Sequence, residues 1–146
     1  MKKENLIYFV VALECEARPL IETFNLKKNT EETFFSIYEK ENIFLILSGI
    51  GKTNAAAASA YLYKYGGKSN GIWINLGIAG HKTKEVGQSV LAHKIQDLSS
   101  NQSWYPSILF SAPCATDAVC TVDKAEEEFK WNHTYDMEAS AFFQTA

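Results

Sequence analysis

The chain has 146 residues, of which 47% are apolar, enough to pack the core of a single domain. Its 14 Lys and Arg against 17 Asp and Glu give a net charge of -3 with no basic stripe, which excludes the electrostatic footprint of a nucleic-acid binder. The longest apolar run, Leu6 to Leu13, is far too short to cross a bilayer, so no membrane role is expected.

That run follows Met1-Lys2-Lys3, a charged start of the kind secretory leaders carry. No small-residue cleavage site follows, and Glu14 and Glu16 interrupt it. Short, wholly apolar and rich in β-formers, it reads as a strand buried on both faces. Pro19 suits the first turn of a helix. Ala17, Leu20, Ile21 and Phe24 then share one helical face, which puts the acidic pair Glu14 and Glu16 at a strand-to-helix junction. Phe34 to Tyr38 and Ile43 to Leu47, joined by the polar turn Glu39 to Asn42, read as a hairpin.

Ser48-Gly49-Ile50-Gly51 precedes a helix expected from about Thr53 to Tyr65, with Gly66-Gly67 as its stop. Gly51-Lys52-Thr53 suggests a phosphate-binding loop, but position 46 is Ile where that motif needs its first Gly. The dinucleotide fingerprint fails as well, because position 54 is Asn. Two readings of the turn remain: a tight start for the helix, or backbone N–H groups facing a polar ligand.

Ile72 to Leu76 is a further buried-type strand ending in Gly77-Ile78-Ala79-Gly80, and Gln88 to Ile95 is another strand. Asp97 to Pro106 reads as a loop, Ile108 to Phe110 and Ala118 to Val122 as short strands, and Ala125 to Phe129 as a helical turn. A last apolar helix is expected to begin near Asp136. The order of elements indicates an α/β domain on a mostly parallel or mixed sheet. In such sheets ligands bind beyond the carboxyl ends of strands. Glu14-Glu16, Gly49-Gly51 and Gly77-Gly80 all sit at such ends.

Three cysteines, at 15, 114 and 120, form no Cys-x-x-Cys pair, which points to a reducing, cytoplasmic setting rather than to disulfides or zinc. The sequon Asn132-His133-Thr134 is then chance. The three histidines pair with no nucleophile and read as surface or packing residues. No cofactor and no metal is called for. Glu14 and Glu16 alone would be ordinary helix-start acids, and Gly77 to Gly80 alone a strand-end turn. Glu138 is different, because its neighbours Ala139, Ala141, Phe142 and Phe143 are apolar, and a carboxylate there needs hydrogen-bond donors.

Five segments occur in order: Ala12 to Glu16, Ser48 to Ala56, Ile74 to Gly80, Val86 to Val90 and Asp136-Met137-Glu138-Ala139. Together they resemble the nucleoside phosphorylase and nucleosidase superfamily, above all the methylthioadenosine/S-adenosylhomocysteine nucleosidases and related hydrolases. The resemblance implies a three-layer α/β/α sandwich around a mixed central sheet. It also implies an enzyme that cleaves the N-glycosidic bond of a purine nucleoside. Glu16 matches the acid that activates water. Met137 and Glu138 match the pair that holds the ribose, and Ala79 and Gly80 a segment beside base and sugar. Ile78 stands where the family usually has Ser or Thr, and Asn75 where bacterial purine phosphorylases have Arg. Both departures favour hydrolysis, since a phosphate dianion needs charge-assisted donors.

The acid that protonates the leaving base would follow residue 146, and Asp123 matches a different position. The span 1–146 is therefore expected to be one domain incomplete at its C-terminus, its last helix having no Gly, Asn or Pro stop. A phosphorylase, or a catalytically impaired nucleoside-binding protein, are the alternatives. The base-stacking aromatic is left open among Trp104, Tyr105, Phe129 and Trp131. The resemblance further implies a homodimer or higher homo-oligomer that shares an aromatic across the interface.

Overall fold

A computed structural model describes residues 5–66 and 71–146. Ten strands form two mixed five-stranded sheets. The first sheet is built from β1 (Leu6–Val11), β2 (Lys27–Lys28), β3 (Ser36–Lys40), β4 (Ile43–Leu47) and β5 (Gly71–Asn75), in the order β2-β3-β4-β1-β5. The second is built from β6 (Gly80–His81), β7 (Val90–Asp97), β8 (Ser103–Trp104), β9 (Ala115–Thr121) and β10 (Thr134–Asp136), in the order β6-β10-β9-β7-β8. The helices are α1 (Glu14–Phe24), α2 (Lys52–Gly66) and α3 (Ala139–Thr145).

Strand β1 lies between β4 and β5 and runs parallel to both. Its apolar residues alternate between two cores, as the strand pleat requires. Phe9 and Val11 pack with Ala17, Leu20 and Ile21 of α1 on one face. Tyr8 and Val10 pack with Ala58 and Leu62 of α2 and Phe142 of α3 on the other. Helix, sheet and helix thus form three layers, and the continuous apolar run Leu6 to Val11 is explained by burial on both sides.

The hairpin forms as β3 and β4, closed at Glu41, which takes a left-handed backbone at φ 54°. Helix α1 starts earlier than expected, at Glu14, so Pro19 lies in its second turn. Glu16 makes the early start possible by accepting the Leu13 N–H at 2.9 Å, half of a capping box. Helix α2 ends at Gly66, and Gly67, the second half of the expected stop, lies outside the described residues.

Four expectations are corrected. Asp97 to Pro106 contains strand β8, which pairs antiparallel with Ile95 and Gln96. Residues 108–110 form no strand, because no neighbouring backbone pairs with them, and Leu109 and Phe110 are exposed. Ala125 to Phe129 is not helical. The chain there reaches across from β9 to seat the Phe129 ring against Gly80. The last helix begins at Ala139, not near Asp136. Asp136 instead ends β10, and its carboxylate accepts the N–H groups of Glu138 (3.1 Å) and Ala139 (2.6 Å), capping α3 from outside.

Among the histidines, His81 is a packing residue. Its Nδ1 accepts the N–H groups of Thr83 and Lys84, so its Nε2–H donates to Asp117 at 3.1 Å and ties β6 to β9. No helix among the described residues is long and apolar enough to cross a membrane.

Strand β5 pairs only with β1 among the described residues, and Ile72 on it is 50% exposed, so this strand is not fully buried. It borders an apolar groove of about 500 Å³ that reaches Ile95, Phe110, Phe142 and Phe143. An open apolar strand edge is a template for self-association. Replacing Ile72 with Lys is expected to reduce aggregation, measured by light scattering, while changing stability by no more than about 0.5 kcal/mol.

Candidate active site

The carboxyl ends of β1 and β5, the glycine turn before α2, and the β9 and β10 ends meet around a cleft of about 400 Å³. All six residues singled out in the sequence, Glu16, Ile78, Ala79, Gly80, Met137 and Glu138, line it. Two carboxylates remote in the chain therefore share one crevice.

Glu16 occupies the third position of α1. Its Oε2 accepts the Leu13 N–H at 2.9 Å and its Oε1 accepts the Ile78 N–H at 2.8 Å. Each oxygen keeps a further lone pair, so the group is oriented without being saturated. The Gly77 to Gly80 segment can approach this closely because two of its residues lack a Cβ. One on Gly77 would stand 3.2 Å from Glu16 Oε1, and one on Gly80 would stand 2.7 Å from the Phe129 ring. The segment is both a strand-end turn and a wall of the cleft.

Glu138 sits at the N-terminal end of α3, half-buried. Its Oε1 accepts the Gly51 N–H at 2.7 Å. Burial pushes its carboxyl above the ordinary glutamate range. The Gly51 N–H opposes that push, and the nearby charges of Asp136 and Glu16 reinforce it. Asp136 is also raised, first by burial and also by Asp97, against the hydrogen bonds from Thr121, Ala139 and Glu138.

Leu13, Ile50, Val122, Ala125, Phe129, Tyr135 and Met137 supply an apolar lining. Of the four candidate aromatics only Phe129 is in the cleft, its ring 5.0 Å from that of Tyr135 at 45°. Trp104 packs on the Ile95 core, and Trp131 carries Lys130 over its ring at 4.6 Å. Sequence reasoning missed Ile50, Glu126 and Asp136 as lining residues. An exposed Ile between two glycines was the available signal for the first.

Among the described residues no Lys, Arg or His lines the cleft. Arg18 lies 3.9 Å from Glu14, both side chains exposed. Lys52 is engaged by Asp97 at 3.0 Å and Asp123 at 2.6 Å. The Asn75 amide donates to the Val10 carbonyl at 3.1 Å. Ile78, 77% exposed, offers no hydroxyl.

No family model and no curated protein matches the sequence. Solved structures do resemble it. A methylthioadenosine/S-adenosylhomocysteine nucleosidase from Colwellia psychrerythraea 34H, solved with adenine, superposes with a TM-score of 0.79 at 21% identity, over 98% of this chain and 76% of that one. The same kind of enzyme from Neisseria meningitidis, solved with methylthio-immucillin-A, gives 0.73 at 24% identity, over 97% and 79%. A futalosine hydrolase mutant from Helicobacter pylori strain 26695 gives 0.71 at 16% identity, over 97% and 83%. The chain has the fold of the nucleoside phosphorylase and nucleosidase superfamily.

Proposed function

We propose that the cleft binds a purine nucleoside and that the protein hydrolyses its N-glycosidic bond. The observation that carries this reading is the convergence of Glu16 and Glu138 on one largely apolar cleft that, among the described residues, also holds Glu126 and Asp136 but no cation. The likeness to nucleosidases supports it at the level of the fold.

In this reading Glu138, with Met137, holds the ribose through its hydroxyls. The base lies against the wall that Phe129 and the Ala79-Gly80 backbone form together. Glu16 takes a proton from the attacking water as general base. The bond from sugar to base nitrogen breaks, the water oxygen bonds to the sugar carbon, and the leaving nitrogen takes up a proton from solvent, giving free base and free sugar. Glycosidic cleavage passes through a cationic, oxocarbenium-like sugar. Two carboxylates fixed by backbone N–H groups favour that charge without having to reorganise.

Phosphorolysis is the weaker alternative, because phosphate would meet the acidic side chains Glu16, Asp136 and Glu138 with no cation beside them. A nucleoside-binding protein without turnover is the second alternative, and Ile78 in place of a hydroxyl residue favours it. The same reading takes the protein to be cytoplasmic and to self-associate.

The test is release of free base from adenosine and 5'-methylthioadenosine, followed by chromatography with and without phosphate. Release that is indifferent to phosphate and leaves the unphosphorylated sugar, ribose or 5-methylthioribose, is expected. Phosphate-dependent release would establish the phosphorylase, and tight binding with no release would establish the binding protein.

A further inference from the structure

The Ser48 to Gly51 turn fits no phosphate-binding motif, and the structure shows what its backbone faces. The Gly51 N–H, at the entrance of the 15-residue helix α2, points at Glu138 Oε1 at 2.7 Å. Among the described residues the one other donor to this carboxylate is its neighbour Met137 N–H, at 3.3 Å to Oε2. Gly51 reaches this position with φ +99°, a left-handed backbone that residues with a Cβ rarely adopt.

The charged groups facing Glu138 are acidic from both sides, Glu16 from α1 and Asp136 from β10. The nearest lysine in sequence to the turn, Lys52, is turned to Asp97, Asp123 and Ser99. The donor opposing two negative neighbours and burial is therefore main-chain. A side-chain cation would have served the charge equally but would also have filled the cleft.

We propose that Gly51 is a positioning residue: its N–H, aimed by a left-handed backbone, fixes Oε1 of Glu138 and leaves Oε2, met by the Met137 N–H at 3.3 Å, with a lone pair to accept the hydroxyls of a sugar. This rests on the reading of Glu138 as the ribose carboxylate. The turn then serves the site through a protein carboxylate and not through a bound phosphate.

The glycine pair provides its own control. Gly49, at φ +83°, lies in the same turn, and a Cβ there would meet the Asn54 side chain, its amide nitrogen at 3.2 Å, which donates to the Ile50 carbonyl and not to Glu138. A Cβ on Gly51 would meet nothing within 4 Å. Gly49→Ala and Gly51→Ala thus strain the same turn through φ, but only the second disturbs the donor to Glu138.

The experiment is a carbon-13 carboxyl NMR titration of Glu138 in the whole chain and in both variants, with calorimetry of 5'-methylthioadenosine alongside. In Gly51→Ala the Glu138 midpoint is expected to rise by about one pH unit. Nucleoside affinity at neutral pH is expected to fall roughly tenfold, and the pH below which binding is lost to move upward. In Gly49→Ala the midpoint stays in place. Equal shifts in both variants, or none in either, would overturn the proposal.

A second measurement needs no change at Gly51. Its amide proton in the unaltered chain is expected to follow the Glu138 titration and to stop doing so in Glu138→Gln. A flat amide in the unaltered chain overturns the proposal even if Gly51→Ala does not fold. A midpoint shift in Gly51→Ala alone, with no nucleoside bound by the unaltered chain, upholds the N–H contact and overturns the nucleoside reading instead.

Discussion

Glu16→Gln is expected to slow base release by about 10²–10⁴-fold, the usual contribution of a positioned general base, while leaving nucleoside binding nearly unchanged. The substitution keeps the volume of the side chain. Its amide oxygen can still accept the Ile78 N–H that now meets Glu16 Oε1 at 2.8 Å. Its amide NH2 would face the Leu13 N–H, a donor against a donor where a 2.9 Å bond now stands. A stability loss of about 1 kcal/mol from the weakened helix cap should accompany the loss of rate. Rate and binding are separated by single-turnover kinetics beside calorimetry. A fall in affinity that matches the fall in rate would mean that Glu16 contacts the ground-state ligand, not the water. Unchanged rate would mean that another group activates the water, and Glu126 and Asp136 are the remaining carboxyls in the cleft.

Elements that depend on local pattern were readable from the sequence. The apolar run of β1, the hairpin β3-β4 and the single apolar face of α1 each satisfy their own periodicity, and the structure contains them within a few residues. Elements that exist only because a neighbour pairs with them were not. Strands β2, β6, β8 and β10 are two or three residues long, and nothing in Gly80-His81 or Ser103-Trp104 marks a strand apart from the ladder it joins. The converse error arose at Ile108 to Phe110, where β-prone residues find no partner strand and stay irregular. Asp136 misled for a related reason. A helix start was expected near it, but its position at the end of β10 was set by pairing with β9.

Within the site, Glu16 was readable only through the resemblance of five short segments to one family, whereas Glu138 also stood out as a carboxylate among apolar neighbours. Composition and spacing would have left Glu16 a solvated helix-start acid. What joins the site together is tertiary: the Ile78 N–H on Glu16, the Gly51 N–H on Glu138, and Phe129 against Gly80. Each is a main-chain group or a bare Cα meeting a distant side chain, and main-chain donors carry no mark in a sequence.

Asp97→Ala is expected to be the most damaging single change to stability, at about 3–5 kcal/mol, the cost of removing one partner of a buried ion pair. Asp97 is buried at the end of β7. Its Oδ2 accepts from Lys52 Nζ at 3.0 Å and from the fully buried Ser140 hydroxyl at 2.8 Å. Its Oδ1 accepts the N–H groups of Ser99 and Ser100 and the Ser99 hydroxyl. One carboxylate thus ties the start of α2, the β7-β8 turn and helix α3 together, across the boundary between the two sheets. Lys52 would retain Asp123 at 2.6 Å, which places the loss toward the lower end of the range. Ser140→Ala, which removes a single donor, should cost only about 1 kcal/mol. Urea denaturation should show a lower midpoint at an unchanged slope in both variants. Acid provides a second readout. Burial alone would raise the Asp97 carboxyl, but the bonds from Ser99, Ser100, Lys52 and Ser140 outweigh it and hold the group below the ordinary range. Its contribution is therefore complete above the unfolded carboxyl pKa of about 3.9 and is lost as pH falls from there toward the folded value. Asp97→Ala should flatten that part of the acid limb, leaving the part due to Asp117, which Thr134, Ala118 and His81 also hold below its ordinary value against burial. An acid limb as steep in Asp97→Ala as in the unaltered chain, or a stability loss below about 1 kcal/mol, would show that the cluster is a solvated surface pairing and that apolar packing alone joins the two sheets.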